Sequence, residues 1–457
     1  MQSNDSGDEK IVRAEIYHPH PQLVSDEKGV LIMMKRVVFH VDANSAFLSW
    51  SAVYRLKVLG EETDLREVPS VVAGDKESRH GIILAKSTPA KKYGIQTGEP
   101  LFQALEKCPH LKVVPPDYEL YVQASRSFVE MLRRFSPRVE QYSIDEAWVD
   151  MSGTERLWGT PRMAAEQMRR RIYEELGFTV NVGISTNKLL AKMAGDFEKP
   201  NKVHTLFPEE MEEKMWPLKV RELFLVGSKT EAKLNRLGIY TIGDLAKADG
   251  KFIRRKLGKH GETVWHFANG RNTDAITPEP AENKGYGNSV TTAQDVVSSA
   301  QAHQVLLSLC ETVAARMRKD GQCGRCISVH LRSSGFEHSS HQTLLHGATN
   351  ITGEIYENAC RVFEELWDHT TPLRQLGVQV TRLCHEPYQQ YDFFSGLTPQ
   401  QYERKLRLDE TVDSLRDKFG EDVIRRAKFA QAPGEHMAGG LDKARRTGIT
   451  KPVPKEF

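Results

Sequence analysis

The sequence predicts an α+β, multidomain protein, and two observations carry that reading. At 457 residues the chain is long enough for about three domains, each able to bury its own core. Apolar runs of strand length alternate with longer runs of helical periodicity, the pattern of sheets layered with helices.

Residues 1–33 are polar and irregular and read as a flexible extension. The apolar run at 37–41 is a buried central strand with Asp42 at its carboxyl end. The segment SWSAVYRLKVLG is a helix stopped by Gly60, and residues 61–113 form a small inserted subdomain. From 114 the chain returns to the first layer with a helix at 121–135. Within PRVEQYSIDEAWVDM, Val139 and Tyr142 on one side and Ala147, Trp148 and Val149 on the other are two short strands. Ile144, Asp145 and Glu146 then stand at the hairpin tip. Neighbours on a regular strand face opposite ways, so Asp145 and Glu146 can serve one site only if the chain turns between them. Carboxylates gathered with Asp42 at strand ends suit a hard divalent cation.

A helix at 164–176 precedes FTVNVGISTNKLLAKM, a strand and a helix joined at Ser185, Thr186 and Asn187, where Ser or Asn suits an N-cap. Lys188 and Lys192 are four apart and share a face of that helix. LFLVGSKTEAKLNRLGIYTIGDLA has the pattern of a helix-hairpin-helix. In it Gly227 supplies a tight turn whose N–H groups can meet a phosphate, Lys229 and Lys233 add charge, and Gly238 with the TIGDL run starts the next helix. IRRKLGKHGETVWHFANG is a weaker second copy. From 285 to 384 strand and helix patterns alternate: GYGNSVTTAQDV, a helix at 305–319, CISVHLRSS, a helix at 355–367, and LRQLGVQVTRL. Residues 396–428 are a helical appendage, and 429–457 a disordered tail.

With 63 Lys and Arg against 61 Asp and Glu, net charge does not disclose a polyanionic partner. Its distribution does: residues 214–259 hold twelve lysines and arginines against four acids, an electrostatic footprint for nucleic acid. No run of about 18 apolar residues exists, and the amino terminus lacks a signal peptide's apolar core. A cytoplasmic protein with no membrane partner is expected. Six scattered cysteines read as reduced thiols. Cys323-Gly-Arg-Cys326 has half of a zinc ribbon's spacing, without a second pair to complete it.

Four segments, VDANSAF, AGDKESRHGIILAKSTPAKKYGIQTGEPL, YSIDEAWVD and VGISTNKLLAKMAGDFEKPN, match the order and spacing of the Y-family translesion DNA polymerases. The chain resembles them from about Met34 to about Cys384, and more weakly to about 428, and looks most like their bacterial polymerase IV branch. The resemblance implies a right-hand-like polymerase: palm at 34–60 and 114–207, fingers at 61–113, helical thumb at 208–275, little finger at 285–385, and a clamp-binding linker with the helical appendage at 386–428. It implies catalysis by Asp42, Asp145 and Glu146, with two magnesium ions held by these side chains and the Ala43 carbonyl. Asn44, where many relatives have a second Asp, is left structural. Phe47 occupies the position of a ring that excludes the 2'-hydroxyl of a sugar. Thr88, Lys91 and Lys192 are expected at the nucleotide, with Lys188 an ordinary exposed lysine. Thr88 and Lys91 depart from the family's usual tyrosine and arginine, and lysine keeps the charge while losing the bidentate fork.

The activity implied by the resemblance is low-fidelity, template-directed synthesis past damaged bases on primer-template DNA with deoxyribonucleoside triphosphates, by a monomer. Small residues at Ala46, Ser87 and Ala90 suggest a roomy nucleotide site. Gln390, Tyr391, Phe393 and Phe394 resemble the bacterial sliding-clamp motif, although Tyr391 and Phe393 replace the commoner leucines. One alternative is a noncatalytic relative that binds DNA and recruits other polymerases; retention of all three carboxylates argues against it. Another is a palm-fold cyclase, which the helix-hairpin-helix disfavours.

Overall fold

The computed structural model describes residues 23–25, 31–33, 36–74, 81–279, 282–385, 399–429 and 436–437. Among them the chain forms two compact units, one built from residues up to Asn44 with Ser125–Pro280, the other from Ser45–Ala124 with the residues after Pro280.

The first unit is organised on a five-stranded sheet in the order Val203–Thr205, Val180–Ser185, Val38–Ala43, Glu146–Asp150, Val139–Gln141. Val38–Ala43 is central and every one of its residues is buried, as its apolar run predicts. It pairs antiparallel with both neighbours. Asn187 caps the helix Lys188–Gly195, accepting from the Leu190 N–H at 2.9 Å, where the sequence places the cap. That helix lies backbone to backbone on Val180–Ser185. A Cβ on Gly183 would sit 2.0 Å from the Ala191 carbonyl oxygen and 2.4 Å from the Gly195 nitrogen. Neither atom can move without shifting the helix, so Gly183→Ala is expected to destabilise the protein by about 3 kcal/mol, read as a drop in thermal midpoint. An unchanged midpoint would contradict this close approach.

Beyond the sheet, helices Ser228–Asn235 and Ile242–Lys247 are separated by Gly238 at φ +77°. Thr241 starts the second of them with a capping box to Asp244. The helix Gly250–Ala268 breaks at Gly258, φ 68°, which makes the second copy two helices across a turn. Trp216, Phe252 and Trp265 pack around the shared core. One expectation needs correction here. Gly227 has φ −87°, open to any residue, and serves as the helix N-cap; the left-handed position is Leu225, φ +69°.

The second unit contains a three-stranded sheet, Ile83–Lys86, Ser70–Ala73, Lys112–Val114, and a four-stranded antiparallel sheet, Gly285–Val296, Leu373–Cys384, Cys323–Ser333, His338–Thr349. Helices Ser299–Lys319 and Thr352–Leu366 cover one face of the larger sheet over a core of Leu306, Val313, Ile327, Val378 and Phe363. The strand His338–Thr349 is absent from the sequence reading because ten of its residues are at least partly exposed and show no apolar alternation.

The helix Pro399–Phe419 is docked on Ser299–Lys319 by buried ion pairs. Arg318 meets Asp409 at 3.2 Å and Asp413 at 2.6 Å, while Glu311 is ringed by Arg416, Arg426 and His436 at 3.3, 2.8 and 2.9 Å. A buried carboxylate needs such partners.

Two expectations for the chain ends are revised. Leu23–Ser25 pairs antiparallel with Leu31–Met33 inside the extension read as irregular. Phe429, His436 and Met437 are buried within the tail read as disordered. All six cysteines are free thiols. No described helix is long and apolar enough to cross a membrane.

Candidate active site

Strand register assembles the acids. Asp42 stands directly opposite Glu146 on the adjacent strand, so the two carboxylates share one face of the sheet. The turn before Glu146 brings in the third. Ala43 donates its N–H to the Asp145 carbonyl at 3.0 Å, and Tyr142 and Ser143 both donate to the Glu146 carbonyl. Ser143 Oγ donates to Asp145 Oδ1 at 2.7 Å and accepts from the Glu146 N–H at 3.1 Å, which locks the hairpin. Glu146 is therefore the first residue of its strand rather than part of the tip, and Tyr142 lies just beyond the other strand.

Like charges directly opposite on paired strands repel, so this arrangement requires cations. Two lysines supply them. Lys192 Nζ is 2.6 Å from Glu146 Oε2 and lies over the rings of Tyr142 and Phe224 at 5.6 and 5.3 Å. Lys199 pairs with Asp42, and with Asp196 at 2.8 Å. Buried His40, two residues before Asp42 on the same strand face, places Nε2 3.3 Å from Glu146 Oε2.

These neighbours set the ionisation. Burial pushes the Asp42 carboxyl up, Lys199 pulls it back, and Glu146 adds to the upward push. Burial also penalises Glu146, but hydrogen bonds from His40 and Lys192 outweigh it and hold its pKa down to about 2. Burial disfavours the Lys199 ammonium, yet Asp42 and Asp196 overcome it and raise its pKa.

Among the described residues no three acids, histidines or cysteines form a ready-made metal cage. The donor set nonetheless suits a hard divalent cation. Asp42, Asp145, Glu146 and the Ala43 carbonyl are all oxygen donors, and the repulsion that Lys192 and Lys199 now relieve is what a bound cation would relieve.

The remaining anticipated residues are spread over both units. Asn44 is buried, donating to Asn181 Oδ1 at 3.2 Å and accepting from the Asn201 N–H at 2.8 Å. Phe47 belongs to the second unit and is half-buried; its ring stacks on Tyr121 at 4.3 Å with 6° between planes. Thr88 and Lys91 lie exposed on the short helix Thr88–Lys92 of that unit. Gly227, Lys229 and Lys233 are exposed at the start of Ser228–Asn235 and along it. Gln390, Tyr391, Phe393 and Phe394 lie outside the described residues.

Two sequence readings change. Lys188 is not an ordinary exposed lysine. Its ammonium sits 2.6 and 2.8 Å from the two Glu140 oxygens and over Trp148, because the helix face it shares with Lys192 packs on the hairpin. Glu140 also accepts from the Thr277 N–H at 2.8 Å, and Ile276 packs with Val38 and Trp148, so the segment after the helix Gly250–Ala268 is strapped to the sheet. Ala46, Ser87 and Ala90 do not open a roomy site: all three are buried, and Ser87 caps the helix after it.

Sequence reasoning missed His40 and Lys199. Strand alternation places His40 on the Asp42 face. Lys199 falls within VGISTNKLLAKMAGDFEKPN, but nothing local points it at an acid 157 positions away.

Comparison with known proteins fits this geometry. The impB/mucB/samB family model matches residues 41–196, its C-terminal domain model residues 283–393, and the IMS family HHH motif residues 208–239. DNA polymerase IV of Clostridium acetobutylicum is 46% identical over 394 residues, covering 86% of this chain and 98% of that protein. DNA polymerase IV of Acetivibrio thermocellus is 37% identical over 405 residues, covering 88% and 99%. DNA polymerase IV 2 of Bacillus subtilis is 35% identical over 412 residues, covering 88% and 97%. A solved Y-family DNA polymerase chimera superposes with a TM-score of 0.64 at 20% identity, over 77% of this chain and all of that one, which is a likeness of fold. The chain belongs to the impB/mucB/samB family, on the polymerase IV-like branch of the Y-family translesion DNA polymerases.

Proposed function

We infer that this chain is a DNA-directed DNA polymerase that performs low-fidelity translesion synthesis. It extends primer-template DNA with deoxyribonucleoside triphosphates, and like its family it depends on divalent cations. The observation that carries the reading is the placement of Asp42 opposite Glu146 with Asp145 in the adjoining turn. A noncatalytic relative would have no need to hold opposed carboxylates beside two lysines. Extension of a primed template by the purified chain tests the inference; no extension with magnesium or manganese would overturn it.

In the proposed site, Asp42, Asp145, Glu146 and the Ala43 carbonyl would hold two magnesium ions. When bound, these ions supply activation of the primer 3'-hydroxyl and neutralise charge on the departing pyrophosphate. The chain's own residues do the rest. Glu146, held ionised by His40 and Lys192, is ready as a ligand at any physiological pH. Lys192 exchanges its carboxylate partner for the triphosphate, and Thr88 and Lys91 add a hydroxyl and a charge. Phe47 excludes ribonucleotides. Gly227, whose Cβ position meets nothing within 4 Å, leaves the start of Ser228–Asn235 open to a DNA phosphate, with Lys229 and Lys233 beside it. The polar face of the four-stranded sheet, opposite its two helices, lies along the duplex.

The chain works as a cytoplasmic monomer and gains processivity from a sliding clamp bound through Gln390, Tyr391, Phe393 and Phe394. Paired aromatics would fill an apolar pocket while the glutamine fixes register. Replacing Phe393 and Phe394 with alanine is expected to leave distributive extension intact and remove stimulation by the cognate clamp. Equal stimulation of variant and parent would sink the assignment.

A further inference from the structure

The tip of the hairpin that joins Cys323–Ser333 to His338–Thr349 carries a group that the polymerisation chemistry does not use. Phe336 stands there with 54% of its surface exposed and with φ +67°. The left-handed region is costly for a bulky residue, and water is a poor environment for the ring. The left-handed φ belongs to the hairpin turn, where glycine would adopt it at less cost, and the ring is no part of the core beneath the sheet, so the choice of phenylalanine calls for another reason. The tip is nonetheless ordered by hydrogen bonds. Ser334 donates its N–H to the Pro372 carbonyl at 2.9 Å, Phe336 donates to the Ser333 carbonyl at 3.0 Å, and Glu337 donates to Ser333 Oγ at 3.1 Å.

Two cations converge on the ring. The Arg332 guanidinium lies 4.4 Å from its centroid and that of Arg374 5.1 Å. Neither guanidinium forms an ion pair with an acid among the described residues, and Arg332 Nε is buried without a hydrogen-bond partner. Arg332 also borders a trough of about 360 Å³ on the open sheet face, lined by Ser289, His330, His338, Gln375 and Gln379 and by no acid. An exposed ring beside unpaired guanidiniums and an acid-free trough fits an anionic chain that carries flat aromatic groups.

We propose that Phe336, with Arg332 and Arg374, is a stacking platform for an unpaired base of single-stranded DNA. It rests on the reading of the chain as a template-directed polymerase, whose template is unpaired beyond the primer. The ring stacks on any base and the arginines meet the flanking phosphates, so the platform tolerates sequence.

The test measures binding of the full chain, by fluorescence anisotropy, to a primer-template duplex with a 5' template overhang of about ten nucleotides, and to the same duplex blunt-ended. The parent is expected to bind the overhang form about tenfold more tightly, the gain from one stacked base. Phe336→Ala should lose most of that gain and Phe336→Trp should keep it. Phe336→Gly guards against misfolding: glycine accepts the left-handed φ, so this variant removes the ring while relieving the backbone. Quenching of a 2-aminopurine in the overhang should disappear with the ring. Arg332→Ala with Arg374→Ala should flatten the salt dependence of overhang binding. An equal overhang gain in Phe336→Gly and parent would overturn the platform. So would the absence of any gain in the parent, or an equal loss on both DNAs. Primer extension by the parent at saturating DNA reports separately on the polymerase reading, so failure of one is not mistaken for failure of the other.

Discussion

Asp145→Asn and Glu146→Gln are each expected to abolish divalent-cation-dependent primer extension while DNA affinity survives. Both substitutions keep shape and remove one negative charge from an oxygen set proposed to hold the cations. Lost electrostatic stabilisation of several kcal/mol corresponds to a rate lower by roughly a thousandfold. The consequences next to each residue differ. Glu146→Gln strips the charge that Lys192 and His40 now share, so that variant also frees the lysine proposed to meet the triphosphate. Asp145→Asn can keep the bond from Ser143 and the backbone bond from Ala43, so its hairpin stays folded. Single-turnover rates at saturating DNA and nucleotide, with binding measured separately, divide chemistry from affinity. A near-parental rate in either variant would remove that residue from the cation set.

Legibility in the sequence depends on whether a residue's partner is local. The Asp42 strand is legible because Val37, Val38, Phe39 and Val41 write an apolar run into a strand buried along its whole length. The Asn187 cap is legible because a cap is a short-range bond. Lys188 misleads for the opposite reason. Helical spacing places it beside Lys192, but only the packing of their helix on the hairpin assigns one lysine to Glu140 and the other to Glu146. Ala46, Ser87 and Ala90 show the same limit, since small size reads equally as an open site or as close packing, and here they are packed. The strand His338–Thr349 carries too little apolar signal to be seen, because its hydrogen bonds to Cys323–Ser333 do not depend on side-chain type.

Phe47→Ala is expected to raise the ratio of ribonucleotide to deoxyribonucleotide incorporation by tenfold or more, about 1.4 kcal/mol of lost discrimination. A ring can exclude a hydroxyl only if it is held rigidly and keeps one side open. Both conditions are met within its unit. Phe47 stacks on Tyr121 with centroids 4.3 Å apart, and Tyr118 meets it edge-on at 6.0 Å. Tyr121 is itself fixed, fully buried with its hydroxyl 2.9 Å from Ser51 Oγ, and burial pushes its pKa up to about 12. Phe47 remains only half-buried. The competing account is that it is simply a core aromatic on the first turn of Ala46–Lys57, in which case its loss would cost about 3–5 kcal/mol of stability and leave sugar choice alone. Measuring both quantities separates them. A gate predicts a modest fall in thermal midpoint with a large change in the incorporation ratio; a core residue predicts a large fall with none. Tyr121→Ala extends the argument, because removing the stacking partner should loosen the ring and relax discrimination partway without touching Phe47. An unchanged ratio in Phe47→Ala would assign the ring to packing.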